Sequence, residues 1–240
     1  MTKSTSDKFM PVLNELQEFA YKQADSMNIL RILGYGLLLL AIFDIIEMFV
    51  PPGFMNPAWE FQTFGTLVER VPVPLIGLVL VFFGETYARN KWEFRILKFL
   101  SWLTLLFAVF FSLMIPLGVI NTVRLTNAST TQINAVSQQQ ISQAEQVEKQ
   151  LSQASPQQIN NFLRSQGRSL NNQNPEEVKS KILSELSKAK EQIQTQAQAN
   201  LSSQRTKLIK NSVKWNLGAL VSAALFISLW KATHWARVYK

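Results

Sequence analysis

Asp44 and Glu47 are the first side chains in this 240-residue sequence whose types and spacing could do chemistry. Three residues apart, they share one face of a helix, and they lie inside an apolar run where an ionised carboxylate is costly to desolvate. Two readings follow. The pair either balances an arginine and sits near the water interface, or serves with Glu85 as coupling acids on a proton or ion path. Both acids fall near the end of the run, within reach of headgroups, which favours the first reading. The opposing charge is Arg70, with Glu69 beside it, so Asp44, Glu47, Glu69 and Arg70 form one candidate charge cluster.

The remaining chemical inventory is sparse. Cysteine is absent, which excludes disulfides, thiolate metal sites and Cys nucleophiles. The single histidine, His234, stands in a tail without Cys or clustered acids beside it, and the aspartates are Asp7, Asp25 and Asp44. There is no phosphate-binding glycine loop, G-x-S-x-G, H-E-x-x-H or dinucleotide fingerprint. Residues 121–214, where an aqueous active site would have to lie, contain neither Asp nor His. The sequence therefore predicts a protein that is not an enzyme and takes no cofactor and no metal.

The elements that would position the acids are membrane-spanning helices. The mean hydropathy of +0.05 averages strongly apolar blocks with one strongly polar stretch. A helix needs about 20 apolar residues to cross a bilayer core of about 30 Å. The first span is expected from Asn28 to Val50, stopped by Pro51-Pro52. Residues 1–27 place Phe9, Leu13, Leu16 and Phe19 on one stripe, which predicts a separate amphipathic helix. Asn56-Pro57 is an N-cap followed by proline at the first helical position, opening a short interfacial helix over 57–70 with Trp59, Phe61 and Phe64 at headgroup depth. The run Leu75 to Phe83 is short, and is expected to span with help from its flanks or to be re-entrant. A third span, about Ile96 to Ile120, carries Pro116 and Gly118 at its far end, where a kink is expected. A fourth, about Trp215 to Trp230, is bounded by tryptophans. Residues 28–120 thus hold three spans and residues 215–240 the fourth with a basic tail.

Residues 121–214 are rich in Gln, Ser and Asn, a composition compatible with disorder. Their periodicity points to helices instead. Ile133, Val136, Ala144, Val147 and Leu151 keep a 3–4 spacing, and Ile182, Leu186, Ile193 and Leu201 keep a clearer one. Ser155-Pro156 opens a short connector through Ile159, Phe162 and Leu163 to Gly167, while Asn174-Pro175-Glu176-Glu177 starts a helix that meets no proline or glycine before Gly218. The pattern predicts a coiled-coil-like helical hairpin between spans three and four. An arm of about thirty residues would reach roughly 45 Å. Its apolar stripe is thin, so Ile182, Leu186, Ile193 and Leu201 are candidate partner-facing residues, for a protein partner or for self-association.

The net charge of +8 suits anionic lipid better than nucleic acid, because the basic residues flank the spans without a recognition motif. Short-loop Lys and Arg place both termini in the cytoplasm and the hairpin across the membrane. Arg205, Lys207, Lys210 and Lys214 run against this assignment, although long translocated loops tolerate such charge.

Trp59 and the run Thr66-Leu67-Val68-Glu69-Arg70-Val71-Pro72-Val73-Pro74-Leu75-Ile76-Gly77-Leu78 resemble the HpsJ-type family of cyanobacterial membrane proteins, in which a tryptophan precedes a Leu-Val-acid-Arg stretch and a Val-Pro-Leu-Gly-Leu start to the second span. The resemblance covers residues 1–120, with a similar layout beyond. It implies a cyanobacterial membrane protein linked to secretion of hormogonium polysaccharide. The fold class expected is all-α with four transmembrane helices and an extramembrane hairpin. The expected function is a non-enzymatic scaffold or accessory protein of the plasma membrane or thylakoid, with polysaccharide export, organisation of a thylakoid complex, a transporter or channel component using Asp44 and Glu47, and membrane shaping by the N-terminal helix as the readings to separate.

Overall fold

The structure, a computed structural model, describes residues 3–85, 89–155, 157–158 and 175–238, and every regular element among them is a helix. These are α1 (Lys3–Met48), α2 (Pro57–Arg70), α3 (Pro72–Phe82), α4 (Lys91–Gln153), α5 (Pro175–Ala232) and α6 (His234–Val238). Four stretches are long and apolar enough to cross a membrane: Gln17–Met48, Pro57–Phe82, Lys91–Gln153 and Glu176–Ala232. The chain forms two compact units, one of Met1–Thr122 with Asn211–Lys240 and one of Val123–Lys210.

Two expectations change. The amphipathic start and the first span are one helix of 46 residues, because a change from striped to uniformly apolar sequence is no signal to stop a helix. The short interfacial helix over 57–70 is instead the first half of the second candidate span. Asn56 caps it, its side chain accepting from the Ala58 amide at 3.0 Å, and Pro57 takes the first turn. At its far end Pro72 and Pro74 remove two backbone donors, but Val71 keeps right-handed helical geometry and its carbonyl still accepts from Leu75 at 3.1 Å. The course from Pro57 to Phe82 is 26 residues, about 39 Å of helix, so the run from Leu75 has the length it lacked. α2 buries Phe61, Phe64, Gly65 and Val68. α4 runs through Pro116 as one helix of 63 residues.

Within the first unit, α1 and α3 run antiparallel at closest approach through Gly34 and Gly77. A Cβ on Gly34 would stand 2.8 Å from the Gly77 carbonyl and 2.8 Å from the Val81 amide, so two backbones touch where both helices lack side chains. α4 and α5 are also antiparallel. Ser101 meets Thr233, Phe107 meets Phe226 and Thr122 meets Ser212, partner numbers falling as the others rise. The core these helices enclose centres on Phe64, Leu78, Val81, Leu97, Phe111 and Phe226. Outside it, large apolar side chains such as Leu40, Phe43, Phe99, Leu106, Leu113 and Leu220 are exposed along the long helices. In water such a surface would be an aggregation site, whereas in lipid it is the ordinary outer face of a bundle.

In the second unit, α4 and α5 again pair antiparallel. Lys190 donates to Glu148 at 2.5 Å and Lys179 to the Ser152 carbonyl at 2.9 Å. The long helix beginning at Pro175 and passing Gly218 is as the sequence reads. Ser155 and Gln158 form a reciprocal cap, the Ser155 amide donating to Gln158 Oε1 at 2.9 Å and the Gln158 amide to Ser155 Oγ at 3.4 Å. The rest of the connector, with Ile159, Phe162, Leu163, Gly167 and Asn174, lies outside the described residues.

The crossing supplies a stability test. Gly34→Leu must push apart two backbones, at a cost of at least about 1–3 kcal/mol, while Gly36→Leu, two residues on, meets nothing within 4 Å. Thermal melts in mild detergent are expected to show a large loss for Gly34→Leu and none for Gly36→Leu; equal melting temperatures would remove the crossing from the account.

Candidate functional site

The acids of the first span meet Arg70 because the antiparallel register of α1 and α3 brings the end of α1 beside the end of α2. Arg70 Nη1 lies 2.8 Å from Asp44 Oδ1 and 3.6 Å from Glu47 Oε2, so Asp44 takes the hydrogen bond and Glu47 adds only field. The Glu47 carboxylate is 76% exposed, against 40% for Asp44. Glu69, the fourth member of the cluster read from sequence, turns to a different partner. Its Oε1 accepts from Lys214 Nζ at 2.6 Å and from Trp215 Nε1 at 3.0 Å, and the Trp215 indole covers Gly65. The cluster is therefore two nodes, one tying α1 to α2 and one tying α2 to α5.

Two cavities flank the first node. One, of about 60 Å³, is apolar, with Asp44 and Arg70 at its edge and Phe107, Phe110, Phe111 and Phe226 in its wall. The other, of about 290 Å³, is mixed in character and is lined by Glu47, Met48, Trp59, Gln62, Thr63, Thr66 and Arg70. Trp59 is held in place from behind. Phe54 and Phe49 present their rings to it at centroid distances of 5.2 Å and 5.9 Å, and a Cβ on Gly53 would stand 2.6 Å from Trp59 Cγ.

About 20 Å along α1 from Asp44, a second charged group escaped the sequence reading. Arg31 is 4% exposed, and it donates from Nε to the Phe83 carbonyl at 3.1 Å and from Nη2 to the Gly84 carbonyl at 3.3 Å. Arg89 joins it. Its Nη2 donates to the carbonyls of Val81, at 2.7 Å, and Phe83, at 3.1 Å; its Nε donates to Glu85, and its Nη1 pairs with Glu93 at 2.5 Å. These carbonyls belong to the last turn of α3 and the turn beyond it, where a helix leaves acceptors without partners and its dipole is negative, so two guanidinium groups close the helix end. Tyr35 completes the group by donating to Glu93 at 3.3 Å, and the Trp235 ring lies 5.7 Å from the Arg89 guanidinium carbon. Burial pulls the Arg89 pKa below the ordinary arginine value, with the Arg31 charge adding to that effect and Glu93 opposing it. The available signal was Arg31 itself, an arginine inside an apolar run. Arg89 was read only as loop charge.

Polar side chains also join α4 to α5, to Thr233 just beyond it and to α6 inside the first unit. Ser101 and Thr233 share a hydrogen bond of 2.8 Å, Arg237 Nη1 donates to Ser101 Oγ at 2.6 Å, and Thr122 donates to Ser212 at 2.7 Å. In the second unit, Ile182, Leu186, Ile193 and Leu201 are half-buried, on the face that also carries Lys179 and Lys190 toward α4. The structure thus places the four on the seam of the hairpin, with part of each left open.

Residues 25–234 match the family model described as HpsJ-like protein. No curated protein and no solved structure matches the chain.

The two charged groups should differ in energetic weight. Arg70→Ala removes a half-exposed pair worth up to about 1 kcal/mol, whereas Arg89→Ala strands a largely buried carboxylate and frees carbonyls, at about 3–5 kcal/mol. Detergent-denaturation midpoints are expected to fall much further for Arg89→Ala. The charge exchange Asp44→Arg with Arg70→Asp should recover most of the Arg70→Asp loss, and an additive outcome would show that the contact is not coupled.

Proposed function

The chain belongs to the HpsJ-like protein family, and on that premise we propose that it is a non-enzymatic integral membrane scaffold or accessory subunit that offers its polar helical pair, Val123–Lys210, to a protein partner of cyanobacterial polysaccharide export. One observation carries the reading, the contrast in surface between the two units. Large exposed hydrophobic side chains crowd the long helices of the first, while among the described residues of Val123–Lys210 only Val123, Val136 and Ile209 are of that kind. A surface of the first type suits lipid, and one of the second suits water or a polar protein face. The pair is also too thinly apolar to owe its helicity to its own seam alone, so a partner, or a second copy, is the natural source of further burial.

The same geometry speaks against a transporter built on Asp44 and Glu47. A coupling acid must exchange its proton or ion during the cycle, whereas Asp44 is held at 2.8 Å by Arg70. Organisation of a thylakoid complex would use the same two units and differs only in the partner. The excess of Lys and Arg in the short segments at both termini and between the second and third spans supports a cytoplasmic location for both ends, with the hairpin periplasmic or lumenal.

The decisive comparison uses the whole protein as bait in mild detergent beside a variant lacking residues 123–210, its ends joined by a short Gly-Ser linker. Such a junction is short because Thr122 and Ser212 stand 2.7 Å apart. The partner recovered with the full chain should be lost with the variant while lipid association persists; an identical partner set would overturn the reading. Because the chain has no cysteine, Ser187→Cys gives a single label for sidedness: a membrane-impermeant maleimide should modify it in intact cells for a periplasmic hairpin, and only after the membrane vesicles are opened for a lumenal one, whereas labelling of sealed vesicles from their cytoplasmic face would overturn the assignment.

A further inference from the structure

The pocket beside the first charged node has the chemistry of a binding site rather than of a packing defect. At about 290 Å³ it lies at the small end of ligand pockets, which run from about 300 to 1,000 Å³, the scale of a single ring rather than a chain. One wall is the Trp59 indole. Gln62, Thr63, Thr66 and Arg70 follow Trp59 along one face of α2 and Glu47 joins them from α1, a set that mixes donors and acceptors closely. Several are uncommitted. The Gln62 carboxamide and the Trp59 indole N–H have no hydrogen-bond partner among the described residues, and Thr66 donates its hydroxyl proton to the Gln62 carbonyl at 3.0 Å, leaving its oxygen free to accept. Arg70 engages its acids through Nη1 alone, so the rest of its fork is open.

Charge narrows the ligand. Asp44, Glu47 and Arg70 sum to one negative charge, with the Glu47 carboxylate the most exposed of the three, so a phosphate or other anion is disfavoured. An apolar tail fits poorly too, because burying Gln62, Glu47 and Arg70 against hydrocarbon would leave them unpaired. The ligand that suits these walls is uncharged, has one apolar face for an indole, and carries neighbouring hydroxyls at its edge that both donate and accept.

We propose that this pocket binds the ring of a neutral sugar, its C–H face against Trp59 and its hydroxyls on Gln62, Thr66, Glu47 and Arg70. The sugar belongs either to a soluble glycan or to the headgroup of a glycolipid, since both present the same ring. The aromatic buttress of Phe49 and Phe54 fixes the indole before the ligand arrives, which lowers the ordering cost of binding. The proposal rests on the reading above only in that this end of the bundle meets water or headgroups, and it involves no residue of Val123–Lys210.

The test uses full-length protein in lipid nanodiscs and ligand-observed saturation-transfer NMR with maltohexaose and cellohexaose, alongside nanodiscs that contain monogalactosyl diacylglycerol or, as the anionic control, phosphatidylglycerol alone. Saturable binding of a hexaose assigns a glycan, and binding confined to the galactolipid assigns a headgroup. In either case Gln62→Ala and Glu47→Gln should weaken binding at least tenfold, Trp59→Phe should weaken it less, and Ser187→Ala should leave it unchanged. Thermal melts of each variant identify those that remain folded. The proposal is overturned if neither sugar source binds saturably, if only phosphatidylglycerol does, or if folded Gln62→Ala and Glu47→Gln bind like the parent. Partner capture by residues 123–210 is a separate measurement, so either idea can fail alone.

Discussion

The contact between the backbones of α1 and α3 at Gly34 and Gly77 governs the membrane-type unit. Without a hydrophobic force to press helices together in lipid, close van der Waals approach has to supply it, and small residues make that approach possible. The crossing also fixes register. With Gly34 set against Gly77 and Val81, the antiparallel course leaves Arg31 beside the carbonyls of Phe83 and Gly84 in one direction and Asp44 beside Arg70 in the other. A slip of one residue on either helix would turn every one of these groups toward a new neighbour. The ion pairs lock a register that the glycines choose.

The buried charged side chains described at the end of α3 are each held by a partner. Arg31 and Arg89 close the end of α3, Glu93 balances them, and Tyr35 donates to the same Glu93 oxygen, Oε1, that Arg89 engages. Ser101, Thr233 and Arg237 do the same between α4 and the end of the chain's last described helices. Each such group would be expensive if left alone in a medium without water, and each is therefore informative about depth. The two charged groups on α1 bracket a length of helix shorter than a full hydrocarbon core, which suits groups seated just inside its two boundaries.

Much of this was legible in the sequence where the physics is local. Asn56-Pro57, Ser155-Pro156 and Pro175 with its following glutamates are capping signals that act within one turn; α2 and α5 start where the first and last of them stand, and Ser155 caps by exchanging hydrogen bonds with Gln158. The pairing of Arg70 with Asp44 follows from the cost of leaving either alone in an apolar setting. What sequence could not show is long-range. Glu69 meets Lys214 and Trp215 across most of the chain, and no pattern near residue 69 announces it. The continuity of 57–70 with the run from Leu75 is also not local: Pro72 and Pro74 fall in the first turn of α3, where missing donors are tolerated, and Val71 keeps helical geometry between the two helices. The Trp59 pocket needed the turn at Gly53 and the rings of Phe49 and Phe54 to be placed before its wall existed at all.

The hydrogen bond between Thr122 and Ser212 has an evolutionary meaning. All of Val123–Lys210 leaves the first unit beside one hydroxyl and returns beside another, 2.7 Å away, so the insertion has the topology of a loop whose stem is already closed. Chain length between these two residues is nearly free of the bundle's constraints, since a larger loop adds only a slowly growing entropy of closure. Turns gained or lost in matched amounts on α4 and α5 would preserve the stem and every contact within the first unit. A lineage carrying this architecture can therefore retune the reach and recognition surface of its polar arm by duplication or deletion, while the lipid-facing part stays as it is.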